Sequence, residues 1–184
     1  IHRQEKTALD YILNKYKKVV HIKPSEMFDE GVFHFGHLKR GGFCTFLSGL
    51  KDWDPNGKYY EDGRKVAKNV QFIRVFLVEK LSDLKRKVLL EQIRLDFESG
   101  IQTYLCMFDE IKDKVREPDF GIWDNEYLCV IHYDEGREMN DIILNSKHGD
   151  LSVANNWTKT ILDRAERIIN FEQDIKSFIS KHSS

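Results

Sequence analysis

The run from Gln71 to Glu79 constrains this chain more than any other stretch. Phe72, Ile73, Val75, Phe76, Leu77 and Val78 make it almost continuously apolar, the pattern of a strand covered on both faces of a sheet. Ser82 follows as a helix cap, and Leu84, Val88, Leu89, Ile93 and Phe97 recur at helical spacing up to Ser99. Gly100 stops that helix, and Ile101 to Met107 reads as the next strand. A strand, a helix and a strand in this order set two parallel strands side by side, joined by a crossover. Three further strands are expected at Phe120–Trp123, Tyr127–Tyr133 and Glu138–Leu144. Asp124-Asn125 and Asp134-Glu135-Gly136 form the turns of an antiparallel meander. The fold class is therefore mixed α/β (α+β). A long C-terminal helix from Leu151 to Lys181 is expected to cover the sheet. Its seam is Trp157, Ile161, Ala165, Ile168, Ile175 and Ile179, with Glu172 as the polar interruption.

The first 69 residues are less periodic. Residues 5–18 read as a helix with Leu9, Ile12, Leu13 and Tyr16 on one face. Val19 to Ile22 reads as a short strand before Pro24, and Ser25 as the cap of a short helix through Phe28. From Gly31 to Asn69 the pattern breaks down into an expected irregular stretch, with strand character near Gly42 to Leu47. Asp54-Pro55-Asn56-Gly57 is a strong turn signal. The 184 residues suit one domain, with residues 70–184 as its α/β core. The opening Ile1-His2-Arg3-Gln4 lacks an initiator methionine, which we read as an excised piece of a longer protein.

Charge and cysteine usage narrow the function classes. A net charge of −1 supplies no global basic field for nucleic acid or acidic membranes. Cys44, Cys106 and Cys129 are odd in number and widely spaced, which argues against a disulfide framework and for a reducing, cytoplasmic setting. Burial in the core is the expected role of Cys106 and Cys129. No stretch has the length of a transmembrane helix. Phosphate loops, nucleophile elbows and zinc-protease motifs are absent from the sequence, so no cofactor is expected. His34 and His37, with Cys44 seven residues on, lack the second ligand pair that zinc requires, and they read as surface or turn histidines. Cys129 and His132 differ by three positions, so a flat strand points them to opposite faces.

One segment carries a resemblance. Glu117-Pro118-Asp119-Phe120-Gly121-Ile122-Trp123-Asp124, entering a β-hairpin after a strand-helix-strand unit, resembles one half of a phospholipase D-like domain over residues 70–146. That family carries His-x-Lys-x-x-x-x-Asp at this hairpin. Here the three positions are Glu117, Asp119 and Asp124, and only Asp124 matches. The resemblance implies a relative without the nucleophilic His and the phosphate-neutralising Lys, kept for binding or assembly. Two acidic residues there would repel a phosphodiester by about a kcal/mol or more near a surface. Plain turn chemistry accounts equally for Asp119 and Asp124.

The expected function is thus a non-catalytic regulatory or interaction domain that binds a small ligand, or a protein partner or neighbouring domain of the same chain. Its expected ligand-binding residues are Arg74, Asp119, Trp123, Asp124 and His132. A homodimer through the long helix is compatible with the pattern. Two alternatives stay open. One is a phosphodiesterase or nuclease with an unconventional site using His34, His37 or His132. The other is a nucleic-acid-binding surface of Lys39, Arg40, Lys58, Arg64 and Lys65 near the aromatic Trp53, Tyr59 and Tyr60.

Overall fold

The computed structural model describes residues 19–183. The helix expected at residues 5–18 lies outside them. The strands are β1 (Val19–Ile22), β2 (Gly41–Leu47), β3 (Gln71–Val78), β4 (Gln102–Met107), β5 (Phe120–Trp123), β6 (Tyr127–Tyr133), β7 (Met139–Asn145) and β8 (Glu166–Arg167). They form one mixed sheet in the order β1-β7-β6-β5-β2-β3-β4-β8. The helices are α1 (Met27–His37), α2 (Lys58–Val66), α3 (Lys87–Glu98), α4 (His148–Leu162) and α5 (Phe171–His182).

The expected strand-helix-strand unit is present as β3-α3-β4, with β3 and β4 parallel and Ile73 opposite Gln102. The helix begins later than Ser82, because a 3₁₀ turn over Leu81–Lys85 precedes it. The meander is also present, with β5, β6 and β7 antiparallel and a bulge at His132/Tyr133. Asp124 and Asn125 have φ of 53° and 57°. Both are left-handed, as the central pair of a type I′ turn closed by Glu126 N–H to Trp123 O requires and as Asp and Asn tolerate.

Two expectations are corrected. The stretch from Gly31 to Asn69 is not irregular. It holds α1, β2 and α2, and β2 pairs in parallel with β3, so a second crossover precedes the one read from sequence. The signal was masked because the buried face of α1 is Gly31, His34 and Phe35, two of which carry no apolar side chain. Gly31 is there for proximity: a Cβ would sit 2.2 Å from the Tyr59 ring of α2.

The long covering helix is the other correction. It is interrupted between Leu162 and Phe171. Glu166–Arg167 leaves the helix to become β8, pairing antiparallel with Tyr104 and Leu105 of β4. A new N-terminus is built at Asn170, whose side chain accepts from Gln173 N, while the Asp174 carboxylate accepts from Ile169 N and Asn170 N at 2.7 Å. The two helices then bury against opposite faces. Leu151, Ala154 and Ile161 of α4 pack with Val75, Leu77, Leu128 and Val130. Ile175 and Phe178 of α5 pack with Phe76, Val78 and Leu89. A seam that reads as one stripe therefore serves two surfaces, because the chain turns around the sheet edge at β8. Among the described residues no helix is long and apolar enough to cross a membrane.

Candidate functional site

A cavity of about 200 Å³ lies on the sheet face covered by α1 and α2. Strand alternation decides which residues reach it. Cys129, Ile131 and Tyr133 of β6 line it, whereas Leu128 and Val130 pack on the far face under α4. From β5 come Gly121 and Trp123, from β2 Cys44 and Phe46, and from β3 Arg74. The walls are aromatic: Tyr59 and Tyr60 of α2, Trp53 of the preceding loop, and Trp123. Phe28, Lys51, Asp52, Gly136 and Glu138 are exposed lining residues and mark the mouth. The β6–β7 turn at this mouth is tied to the end of β3 by an ion pair between Arg137 and Glu79.

Arg74 forms the floor. It is 1% exposed. Its Nη1 donates to Asp96 of α3 at 2.6 Å and its Nε to Cys44 Sγ at 3.2 Å. Asp96, fully buried, also accepts from Gln92 Nε2 at 3.0 Å and faces Arg64 Nη1 at 3.5 Å. Burial alone would lower the Arg74 pKa, but Asp96, Cys44 and Tyr59 together more than offset it, and Arg74 stays charged. Among the described residues, Arg74 Nη2 has no hydrogen-bond partner, and neither does the buried Nε1 of Trp53. Such orphaned donors are uncommon in a folded protein.

Asp119 stands on the same wall, 6% exposed, and accepts a hydrogen bond from the Tyr133 hydroxyl. Desolvation raises its carboxyl to about 7, against the lowering effect of Tyr133 and with a further rise from Glu79. Thr45 fixes the approach to this position. Its Oγ1 donates to Pro118 O at 2.7 Å and accepts from Phe120 N at 2.9 Å. Burial likewise pushes the Cys44 thiol up, and that of Cys129 up to about 12, so neither is a thiolate nucleophile at neutral pH.

The sequence-derived ligand set divides in three. Arg74, Asp119 and Trp123 line the cavity. His132 points to the other face, where its Nε2 meets Glu117 at 2.9 Å and its Nδ1 lies 3.6 Å from Asp141. Asp124 sits at the hairpin tip, and its carboxylate accepts from the backbone N–H of Lys39 (3.0 Å), Arg40 (2.6 Å) and Gly41 (3.1 Å). Burial raises its pKa, but these N–H groups outweigh that and hold the carboxylate below its usual value. The one residue matching the phospholipase D pattern is thus a clamp on the entry to β2. Asp124→Ala will cost about 2 kcal/mol, on the order of one charge-assisted hydrogen bond plus unpaired N–H groups. Urea unfolding checks this, and a loss within error of zero would mean water replaces the clamp.

His34 was expected at the surface, yet it is 5% exposed. It lines the cavity, hydrogen-bonded to Glu30 at 3.1 Å and stacked near Trp123. Its turn of α1 was hidden by flanking glycines. His37 instead contacts the carbonyl of Phe33 at 2.8 Å. Trp53, Tyr59 and Tyr60, which the sequence groups with a basic surface, line the cavity instead. Of the expected nucleic-acid cations, Arg40 pairs with Glu126, Lys58 and Lys65 share Asp62, and Arg64 turns inward to Asp96 and Pro55 O. These four cations are locally opposed rather than aligned in a free stripe. Among the described residues no group of three or more His, Cys, Asp or Glu is placed to hold a metal ion.

No protein-family model and no curated protein matches this chain. Solved structures do. The chain is similar to TrmBL2, an archaeal chromatin protein with a novel mode of DNA binding, at 11% identity and a TM-score of 0.57 over 90% of this chain. It spans 61% of that protein's length. It is similar to NucT from Helicobacter pylori at 7% identity and a TM-score of 0.60, covering 82% of this chain and 98% of that one. It is also similar to Nuc, a phospholipase D family member from Salmonella typhimurium, at 9% identity and a TM-score of 0.58, covering 83% of this chain and 97% of that one. At these identities the likeness is one of architecture, and the fold of this chain is phospholipase D-like.

Proposed function

We propose that this chain is a phospholipase D-like module without phosphodiester chemistry, serving a larger protein as a small-ligand-binding regulatory domain. The observation that carries this is the cavity itself. A partly open, aromatic-walled cavity with a few polar groups is the usual form of a ligand site, and two of its lining residues, Arg74 and Trp53, carry a buried donor, Nη2 and Nε1, with no partner among the described residues. Where the phospholipase D pattern calls for a nucleophilic His and a cationic Lys, this chain has Glu117 and Asp119. Glu117 is engaged with His132 on the opposite face and Asp119 with Tyr133. Neither supplies a nucleophile toward phosphorus or a positive charge for a phosphodiester.

Two measurements test this. Hydrolysis of bis(p-nitrophenyl) phosphate and of single-stranded DNA is expected at background. Robust turnover lost on His132→Ala would replace the proposal with the enzyme alternative, because His132 stands beside two carboxylates, Glu117 and Asp141, outside the cavity. Separately, a fragment mixture spanning neutral, cationic and anionic molecules is expected to shift backbone amide resonances of cavity-lining residues. A mixture that leaves them all unmoved would remove the ligand-binding reading whatever the ligand's class.

A further inference from the structure

We infer that the cavity takes a small monocarboxylate with an apolar or aromatic body, its carboxylate seated on Arg74 and Trp53. This rests on the ligand-binding reading above and adds the ligand's chemical class. Arg74 and Trp53 both line the cavity, and the unpartnered atom of each is a donor, Nη2 and Nε1. A ligand that satisfies them must bring acceptors rather than donors.

Charge favours an anionic acceptor. Beneath the floor two guanidinium groups, Arg74 and Arg64, face one carboxylate, Asp96. That buried cluster carries one positive charge in excess, and a charge removed from water is stabilised by a counter-charge. The Asp119 carboxyl across the wall would oppose an anion when ionised, but its burial favours the protonated form up to about neutral pH. A protonated Asp119 presents no charge to the ligand.

The donor count then separates carboxylate from phosphate. Two of the three guanidinium nitrogens of Arg74 are already committed, Nη1 to Asp96 and Nε to Cys44. One free guanidinium nitrogen, Nη2, and one indole N–H suit a two-oxygen group. A phosphate brings three acceptor oxygens and a larger charge, and it is usually held by several donors or a helix N-terminus. The rest of the ligand meets rings: Tyr60 lies beside the Arg74 guanidinium at 5.5 Å and Trp53 packs edge-on to Phe46 at 5.1 Å. Such walls favour an apolar or aromatic body over a polyhydroxylated one.

The test is calorimetric titration and thermal shift of the chain with benzoate and phenylacetate. Benzamide serves as the neutral isostere, with inorganic phosphate and glucose as the other chemistries. The two carboxylates are expected to bind at least roughly tenfold more tightly than benzamide, since a charge-assisted bond is replaced by a neutral one. Trp53→Phe keeps the ring and removes only the indole N–H. It is expected to weaken benzoate by roughly tenfold without changing the fold. Arg74→Lys is expected to abolish benzoate binding. Should that variant not fold, Trp53→Phe decides alone. Benzamide, glucose or phosphate binding as well as benzoate overturns the carboxylate assignment, and so does benzoate binding that ignores Trp53→Phe. If no probe binds, the assignment is likewise overturned. The ligand-binding reading still stands in each case if the fragment mixture shifts the cavity amides, so the two failures are distinguishable.

Discussion

Replacing Asp96 by alanine will destabilise the fold by about 3–5 kcal/mol, the usual result of stranding one member of a buried ion pair. Asp96 is the acceptor for Arg74 Nη1 and Gln92 Nε2 and lies 3.5 Å from Arg64 Nη1. Arg74 is 1% exposed, and a guanidinium does not deprotonate to escape. The charge would therefore stay buried without a partner. The double variant Arg74→Met with Asp96→Leu removes both charges, and it should recover most of the loss, because buried pairs replaced by apolar groups are often neutral. Urea unfolding of the two variants beside the parent is the measurement. A loss below about 1 kcal/mol in Asp96→Ala would mean that water already reaches the pair, and the floor of the cavity would need to be redrawn.

Asp119 gives the second large effect, and it depends on pH. Burial raises its carboxyl from 3.8 to about 7, the Tyr133 hydroxyl pulls it back down in part, and Glu79 adds to the rise. Between those two pH values the unfolded chain has released this proton while the folded chain keeps it. Stability must therefore fall as pH rises through the window. At about 1.4 kcal/mol per unit, roughly three units amount to about 4 kcal/mol, fully present below pH 4 and fully lost above pH 7. Asparagine has no proton to lose. Asp119→Asn should flatten this slope, exceed the parent's stability at pH 8 by a few kcal/mol, and differ little from it at pH 4. Unfolding curves at pH 4, 6 and 8 check it. A parent and variant with parallel pH profiles would mean that Asp119 ionises normally in the folded protein.

These effects come from residues whose partners lie far away in the chain, and the same division runs through the fold. The β3-α3-β4 unit was legible because Phe72 to Val78, Leu89 and Ile93 repeat within a window shorter than the element itself. The Asp124-Asn125 hairpin was legible because left-handed φ at two successive residues is a local demand that Asp and Asn meet. The helix α1 was not legible, because its buried face of Gly31, His34 and Phe35 is shaped to fit Tyr59 and Trp123 rather than to be apolar. Nor was the interruption after Leu162. The apolar spacing of Trp157, Ile161, Ile168 and Ile175 continues across it, and nothing in that spacing states that α4 and α5 lie on opposite faces.

By itself, the sequence determined the strands from β3 to β7, their alternation, and Glu117 and Asp119 as the residues at the hairpin entry. Those depend on periodicity and residue identity over a few positions. Only the tertiary structure decided that Arg74, Trp53 and Asp119 share one cavity while His132 and Asp124 do not. That outcome follows from the strand order β7-β6-β5-β2-β3. It lays residues from β2, β3, β5 and β6 side by side on one face, and strand alternation then turns His132 to the other.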